Sequence, residues 1–137
     1  MGTRAYICKV EPNNILAATY IHYGDYKEII NFLKRVDTPD KINWLIDRGD
    51  IISTQDNTFP MVTTINDSYG DLWVNRSEVR ITPLLFESFD EFKYYLKVNE
   101  SFDIEYIYVL EPGKITVYGK DKTTKEIKFD IVNRVIL

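Results

Sequence analysis

The chain has 137 residues, a length that fits one domain and buries roughly 68% of the surface its unfolded state exposes, enough for a core without disulfide or metal staples. Apolar residues make up 45% and charged residues 28%, the balance of a globular protein in water, and no run of about 18 apolar residues offers a membrane span. With 17 basic against 21 acidic side chains the net charge is −4, which speaks against wholesale nucleic-acid binding. The charge is unevenly spread: residues 37–71 hold seven acids and two bases, residues 111–137 four acids and six bases. A local basic strip is therefore compatible with an acidic whole, and so is a lysine-guarded strand edge.

Cys8 is the single cysteine, which excludes an intramolecular disulfide and a cysteine-based zinc site and fits a reducing compartment. Lys9 and Glu11 interrupt any apolar stretch near the N-terminus, so export by a signal peptide is not expected.

Residues 3–10 and 15–22 are β-branched and aromatic and flank the turn formers Glu11-Pro12-Asn13-Asn14, which predicts a β-hairpin. With Val10 opposite Ile15, one face carries Tyr6, Cys8, Val10, Ile15, Ala17 and Ile21 and meets the core. The other face carries Ala5, Ile7, Lys9, Leu16, Ala18, Tyr20 and His22. Asp25-x-x-Glu28 reads as a capping box opening a helix whose apolar stripe is Tyr26, Ile29, Ile30 and Leu33. Thr38, Pro39 and Gly49 frame a second helix with Ile42, Leu45 and Ile46 turned inward.

From Asp50 to about Asp71 the pattern weakens, with a short strand expected at Met61–Ile65 and others at Leu72–Val74 and Val79–Ile81. Such a stretch suits a variable insertion or a partner-binding loop. Ser88 and Glu91 open a third helix that buries Phe89, Phe92 and Leu96. Strands follow at about 104–110 and 114–118, joined by Glu111-Pro112-Gly113, and a third at about 125–132 alternates Ile127, Phe129 and Ile131 with charges. The order is ββαα, an irregular middle, then αβββ. A single α+β domain over residues 1–137 is expected, with about three helices packed on an antiparallel sheet.

Three constellations carry the functional reading. His22 is the only histidine, beside Tyr20, Tyr23, Asp25 and Tyr26 at a strand-to-helix corner. That corner is a candidate partner-binding surface, and with Asp25 orienting the imidazole it is a candidate general base of a small hydrolase or nuclease. Its bland reading is a corner whose polar tips cap the helix. Cys8 and His22 fall on opposite faces of the expected hairpin, on the order of 15 Å apart at ~3.3 Å per residue, and make no nucleophile–base pair. Tyr106, Tyr108 and Tyr118 with Lys114, Lys120 and Lys122 form a candidate platform for RNA or single-stranded nucleic acid, since tyrosine stacks on unpaired bases beside cations. Cross-strand aromatic pairing accounts for the same rings. A metal set, a glycine-rich phosphate loop and a nucleophile elbow are missing from the sequence, so no cofactor, no metal and no catalytic residue is expected.

The opening Met1-Gly2-Thr3-Arg4-Ala5-Tyr6-Ile7 and the stretch Tyr20-Ile21-His22-Tyr23-Gly24-Asp25-Tyr26 resemble a family of small uncharacterised bacteriophage proteins. There the second strand ends in a Tyr-Cys-His-Trp-Asp-Gly-Tyr-like stretch. This chain keeps the first tyrosine, the histidine and the last tyrosine, lacks the cysteine and tryptophan, and reverses the Asp-Gly order. Tyr106-Ile107-Tyr108 and Gly113-Lys114 running to Val117-Tyr118 extend the likeness to about half the chain. The resemblance implies a non-enzymatic phage protein acting in the host cytoplasm, an inhibitor of a defence or regulatory machine such as a CRISPR effector. The partners it implies are a host protein or a protein–nucleic-acid complex, with RNA and a second copy of the chain as further candidates and no membrane.

Overall fold

Two neighbouring strands, β1 (Arg4–Val10) and β2 (Leu16–Ile21), are buried on both faces, and that decides the architecture. The computed structural model describes residues 4–22, 25–53, 63–64, 82–101, 103–123 and 126–137. The β1–β2 hairpin forms, with a register one residue away from the expected one: Val10 lies opposite Leu16, Cys8 opposite Ala18 and Tyr6 opposite Tyr20. The loop explains the slip. Asn14 takes a left-handed φ of 68°, and its N–H donates to Glu11 O at 2.9 Å, while Glu11 N donates to Ile15 O at 2.7 Å. The loop proper is thus the three residues Pro12-Asn13-Asn14, a type I turn followed by a left-handed residue.

The slip regroups the faces. Ala5, Ile7, Ala17 and Ile21 pack on one side, and Tyr6, Cys8, Leu16 and Ala18 on the other. The first side is covered by α1 (Tyr26–Leu33) and α2 (Pro39–Asp47), the second by α3 (Phe89–Val98). The described residues form three layers, helices above and below one sheet, and a strand covered on both faces needs no alternation of apolar and polar residues. The caps form at the expected places: Asp25 and Glu28 close a reciprocal box, Thr38 accepts from Lys41 N, and Ser88 accepts from Glu91 N.

Lys9 shows how α2 docks. It is 7% exposed rather than turned to water, and its Nζ donates to Asn43 Oδ1 at 2.7 Å and lies 3.0 Å from Glu11 and 3.5 Å from Asp47. Thr19 Oγ1 donates to Ile46 O at 3.0 Å a few residues away. A lysine can be withdrawn from water on a central strand when acceptors meet its ammonium in this way.

The sheet continues through β3 (Ile51–Ser53), β4 (Thr63–Thr64), β5 (Leu84–Phe86), β6 (Ile104–Glu111), β7 (Lys114–Lys120) and β8 (Phe129–Ile136). Its order is β4-β3-β2-β1-β6-β7-β8, with β5 pairing β2 as well. The α+β class and the mostly antiparallel sheet are as expected. The ladders β1–β6 and β2–β3 are parallel, so the sheet is mixed rather than antiparallel throughout. The Met61–Ile65 expectation meets β4 at Thr63–Thr64, while Leu72–Val74 and Val79–Ile81 lie outside the described residues.

The last strand starts later than its alternation suggests and is less buried. Only Phe129 is enclosed, and Ile131, Val132 and Ile136 are 42%, 58% and 73% exposed. Val117 pairs with Asn133 and Tyr118 with Ile131, which leaves Val132 as the extra residue of a β-bulge. Gly119 makes room for it: a Cβ there would meet Val132 Cγ1 at 2.9 Å.

Candidate functional site

The corner after β2 is built from strand ends. His22 N donates to Ile51 O at 2.9 Å, splicing β2 to β3, and the imidazole stands edge-on to the Tyr20 ring with centroids 4.6 Å apart. Its Nε2 lies 3.9 Å from a carboxylate oxygen of Asp50, which is 2% exposed. The acid expected to orient His22 was Asp25. Asp25 instead accepts from Glu28 N at 2.9 Å and caps α1, because the capping box engages its carboxylate. Asp50 stands in that place, and its position beside Gly49, the helix stop, is the one sequence cue that locates it at a turn back toward β2.

Around this pair, Tyr20 is hydrogen-bonded to Asp103, which also accepts from Arg4 Nη1 at 3.2 Å. Burial, then the Asp103 carboxylate, push the Tyr20 phenol up to about 12. Tyr6 packs on Tyr20 at 5.4 Å. His22 and Cys8 now share a face, since Cys8 pairs with Ala18 and the imidazole packs on Tyr20. They remain about four residues out of step, roughly 13 Å along the strand, so the two still do not touch. Burial pushes the Cys8 thiol up, which leaves it an inert core group. Tyr23 lies outside the described residues.

Tyr26 belongs to a different neighbourhood from His22. Its ring packs against Tyr106 at 5.1 Å and Tyr108 at 6.3 Å, and its phenol oxygen accepts from Asn133 Nδ2 at 2.8 Å. The two tyrosine-rich ends of the chain therefore meet across the sheet.

That meeting takes the expected C-terminal platform apart. Tyr108 is 0% exposed beneath α1, so it offers no face to a base. Tyr118 pairs with Ile107 on the opposite face of the sheet and packs on Phe89 at 4.6 Å. Lys114 lies 3.5 Å from Glu111 and Lys122 3.1 Å from Glu105, each pair joining an exposed and a half-buried side chain. Lys120 is partly buried opposite Phe129. Side chains one position apart on β6 and β7 alternate between faces, and the platform had joined rings from both.

A different surface stands open. β8 is the terminal strand of the sheet, and among the described residues no strand pairs with its outer edge. An edge strand presents a row of backbone donors and acceptors, and here it also carries the exposed apolar residues Ile131, Val132 and Ile136. The Val132 bulge and the charges of Asp130 and Arg134 blunt this edge without closing it. Among the described residues no helix is long and apolar enough to cross a membrane. Comparison with protein-family models, with curated proteins and with solved structures gives no match to this chain.

Proposed function

We propose that this chain is a non-enzymatic binding protein of phage origin that engages a host protein in the host cytoplasm and inhibits a defence or regulatory machine, a CRISPR effector being one such target. The observation that carries the binding reading is the outer edge of β8, with Ile131 at 42%, Val132 at 58% and Ile136 at 73% exposure beside a backbone edge that no strand among the described residues pairs with. A partner strand laid along that edge gains main-chain hydrogen bonds, and the apolar side chains supply selectivity. The bulge favours a partner whose own twist fits over one that simply aggregates. The phage origin and the inhibitory role rest on the resemblance of the two tyrosine-rich stretches.

The experiment is affinity capture from a bacterial lysate by the tagged chain, with sedimentation of the purified chain alongside. Stoichiometric recovery of a host protein supports the reading. A concentration-dependent dimer with no host protein retained replaces it by self-association on the same edge.

A further inference from the structure

A second surface lies next to β8 on the face covered by α3. A cleft of about 280 Å³ opens between α3 and the segment leading into β8, lined by Lys93, Tyr94, Lys97, Ile127, Lys128, Phe129 and Asp130. We infer that this cleft binds single-stranded nucleic acid, with Tyr94 as the stacking ring and Lys93, Lys97 and Lys128 as the phosphate contacts. The inference does not depend on the β8 edge as a protein contact.

Tyr94 is 68% exposed, the most exposed aromatic side chain among the described large hydrophobic residues. One exposed ring on a helix needs no explanation by itself. This ring is flanked by two cations of its own helix and faced by a third, which is the combination that holds an unpaired base and its phosphates. Lys93 and Lys97 stand about one helical turn apart, so they address successive phosphates rather than one. Lys93 is lightly held, 3.4 Å from a 92% exposed Asp90 carboxylate, and its ammonium sits over the Phe89 ring at 5.2 Å. Among the described residues no carboxylate lies within 4.0 Å of the Lys97 or Lys128 ammonium, and Lys128 is near enough to Asp121 to add to the Thr123 hydrogen bonds that hold that carboxyl below its ordinary range.

The floor supports stacking. Phe129 is 6% exposed and Ile127 half-buried, and both pack into the core under α3, which gives the base an apolar base plate. The volume is close to the lower end for small-molecule pockets, about 300 Å³, and suits one base with its sugar rather than a whole cofactor. Duplex is disfavoured, because a paired base has no free face to lay on Tyr94. An acidic chain with three lysines gathered at one cleft fits a local phosphate contact, not a general affinity for polyanions.

Fluorescence anisotropy with labelled oligouridine and oligothymidine tests this on the full chain, with uridine monophosphate and a duplex as competitors. The two labelled strands separate an RNA ligand from a DNA ligand. Three phosphate contacts predict that log K falls with log salt at a slope of roughly −2. Tyr94→Ala is expected to weaken binding about 5- to 150-fold, and Lys97→Gln to reduce the salt slope by about 0.7, with circular dichroism unchanged in both. The duplex and the monophosphate are expected to compete poorly. No binding at low salt overturns the inference, as does binding that survives both substitutions or that the monophosphate displaces as well as the strand does.

Discussion

Asn133 on β8 donates from Nδ2 to the phenol oxygen of Tyr26 on α1 at 2.8 Å, across 107 positions of sequence. The contact pins the first helix to the last strand just after the bulge, and Tyr106 and Tyr108 pack under the same Tyr26 ring at 5.1 and 6.3 Å. It is an exposed bond, so its contribution is modest. Asn133→Ala is expected to cost about 0.5–1.5 kcal/mol in urea unfolding. No change in the midpoint would show that the bond contributes nothing in water.

Tyr108 is a sharper case. Its ring is fully enclosed, yet its hydroxyl has no hydrogen-bond partner among the described residues, and burial pushes its pKa up. Removing an unsatisfied buried hydroxyl relieves a desolvation cost, so Tyr108→Phe is expected to be neutral or stabilising by up to about 1 kcal/mol. Tyr108→Ala removes the ring itself and should cost about 3–5 kcal/mol. Chemical denaturation of the two variants separates the contributions. A marked loss in Tyr108→Phe would mean that the hydroxyl is satisfied.

The buried thiol and phenols set an alkaline limit. Cys8, with an ordinary value of 9.0, and Tyr20 and Tyr108, with ordinary values of 10.0, all have their folded pKa raised, in each case mainly by burial. Above pH 9 the unfolded chain releases the Cys8 proton while the folded chain keeps it, so the unfolded state binds fewer protons and stability falls as pH rises. The slope for Cys8 alone is about 1.4 kcal/mol per pH unit, and it steepens above pH 10 as the tyrosines join. The Tyr20 share ends near its folded value of about 12. Urea midpoints measured from neutral pH upward should be flat to about pH 9 and then decline, and Cys8→Ala should delay the onset. Flat midpoints through about pH 11 would contradict this account of the core.

Much of the fold was legible because its local signals agree with its tertiary structure. Asp25, Thr38 and Ser88 cap the three described helices as their spacing dictates, and Gly113 takes the positive φ of 83° between β6 and β7. The hairpin register was not legible, because Asn14 in a left-handed conformation removes one residue from the loop and every face assignment follows from that. Nor were the parallel ladders, since nothing local ties β1 to β6 across a hundred residues. The candidate sites suffered in the same way. Tyr106 and Tyr118 look adjacent in a hairpin drawn flat, yet they face opposite layers, and the carboxylate that stands 3.9 Å from His22 belongs to Asp50, while the nearby Asp25 caps α1. Tyr94 lies outside the stripe its helix buries, so the apolar periodicity that marks the helix carries no signal for it.

The most direct measurement of the binding account compares capture of a host protein by the wild-type chain and by an Ile131→Lys/Ile136→Lys variant. Both positions are exposed on β8, so the change should leave stability within about 0.5 kcal/mol per site while placing charge along the edge a partner strand must approach. The account predicts that the wild-type chain retains a host protein stoichiometrically and that the variant, melting at the same temperature, retains none. Equal capture by the variant, or no capture by the wild-type chain, would contradict it.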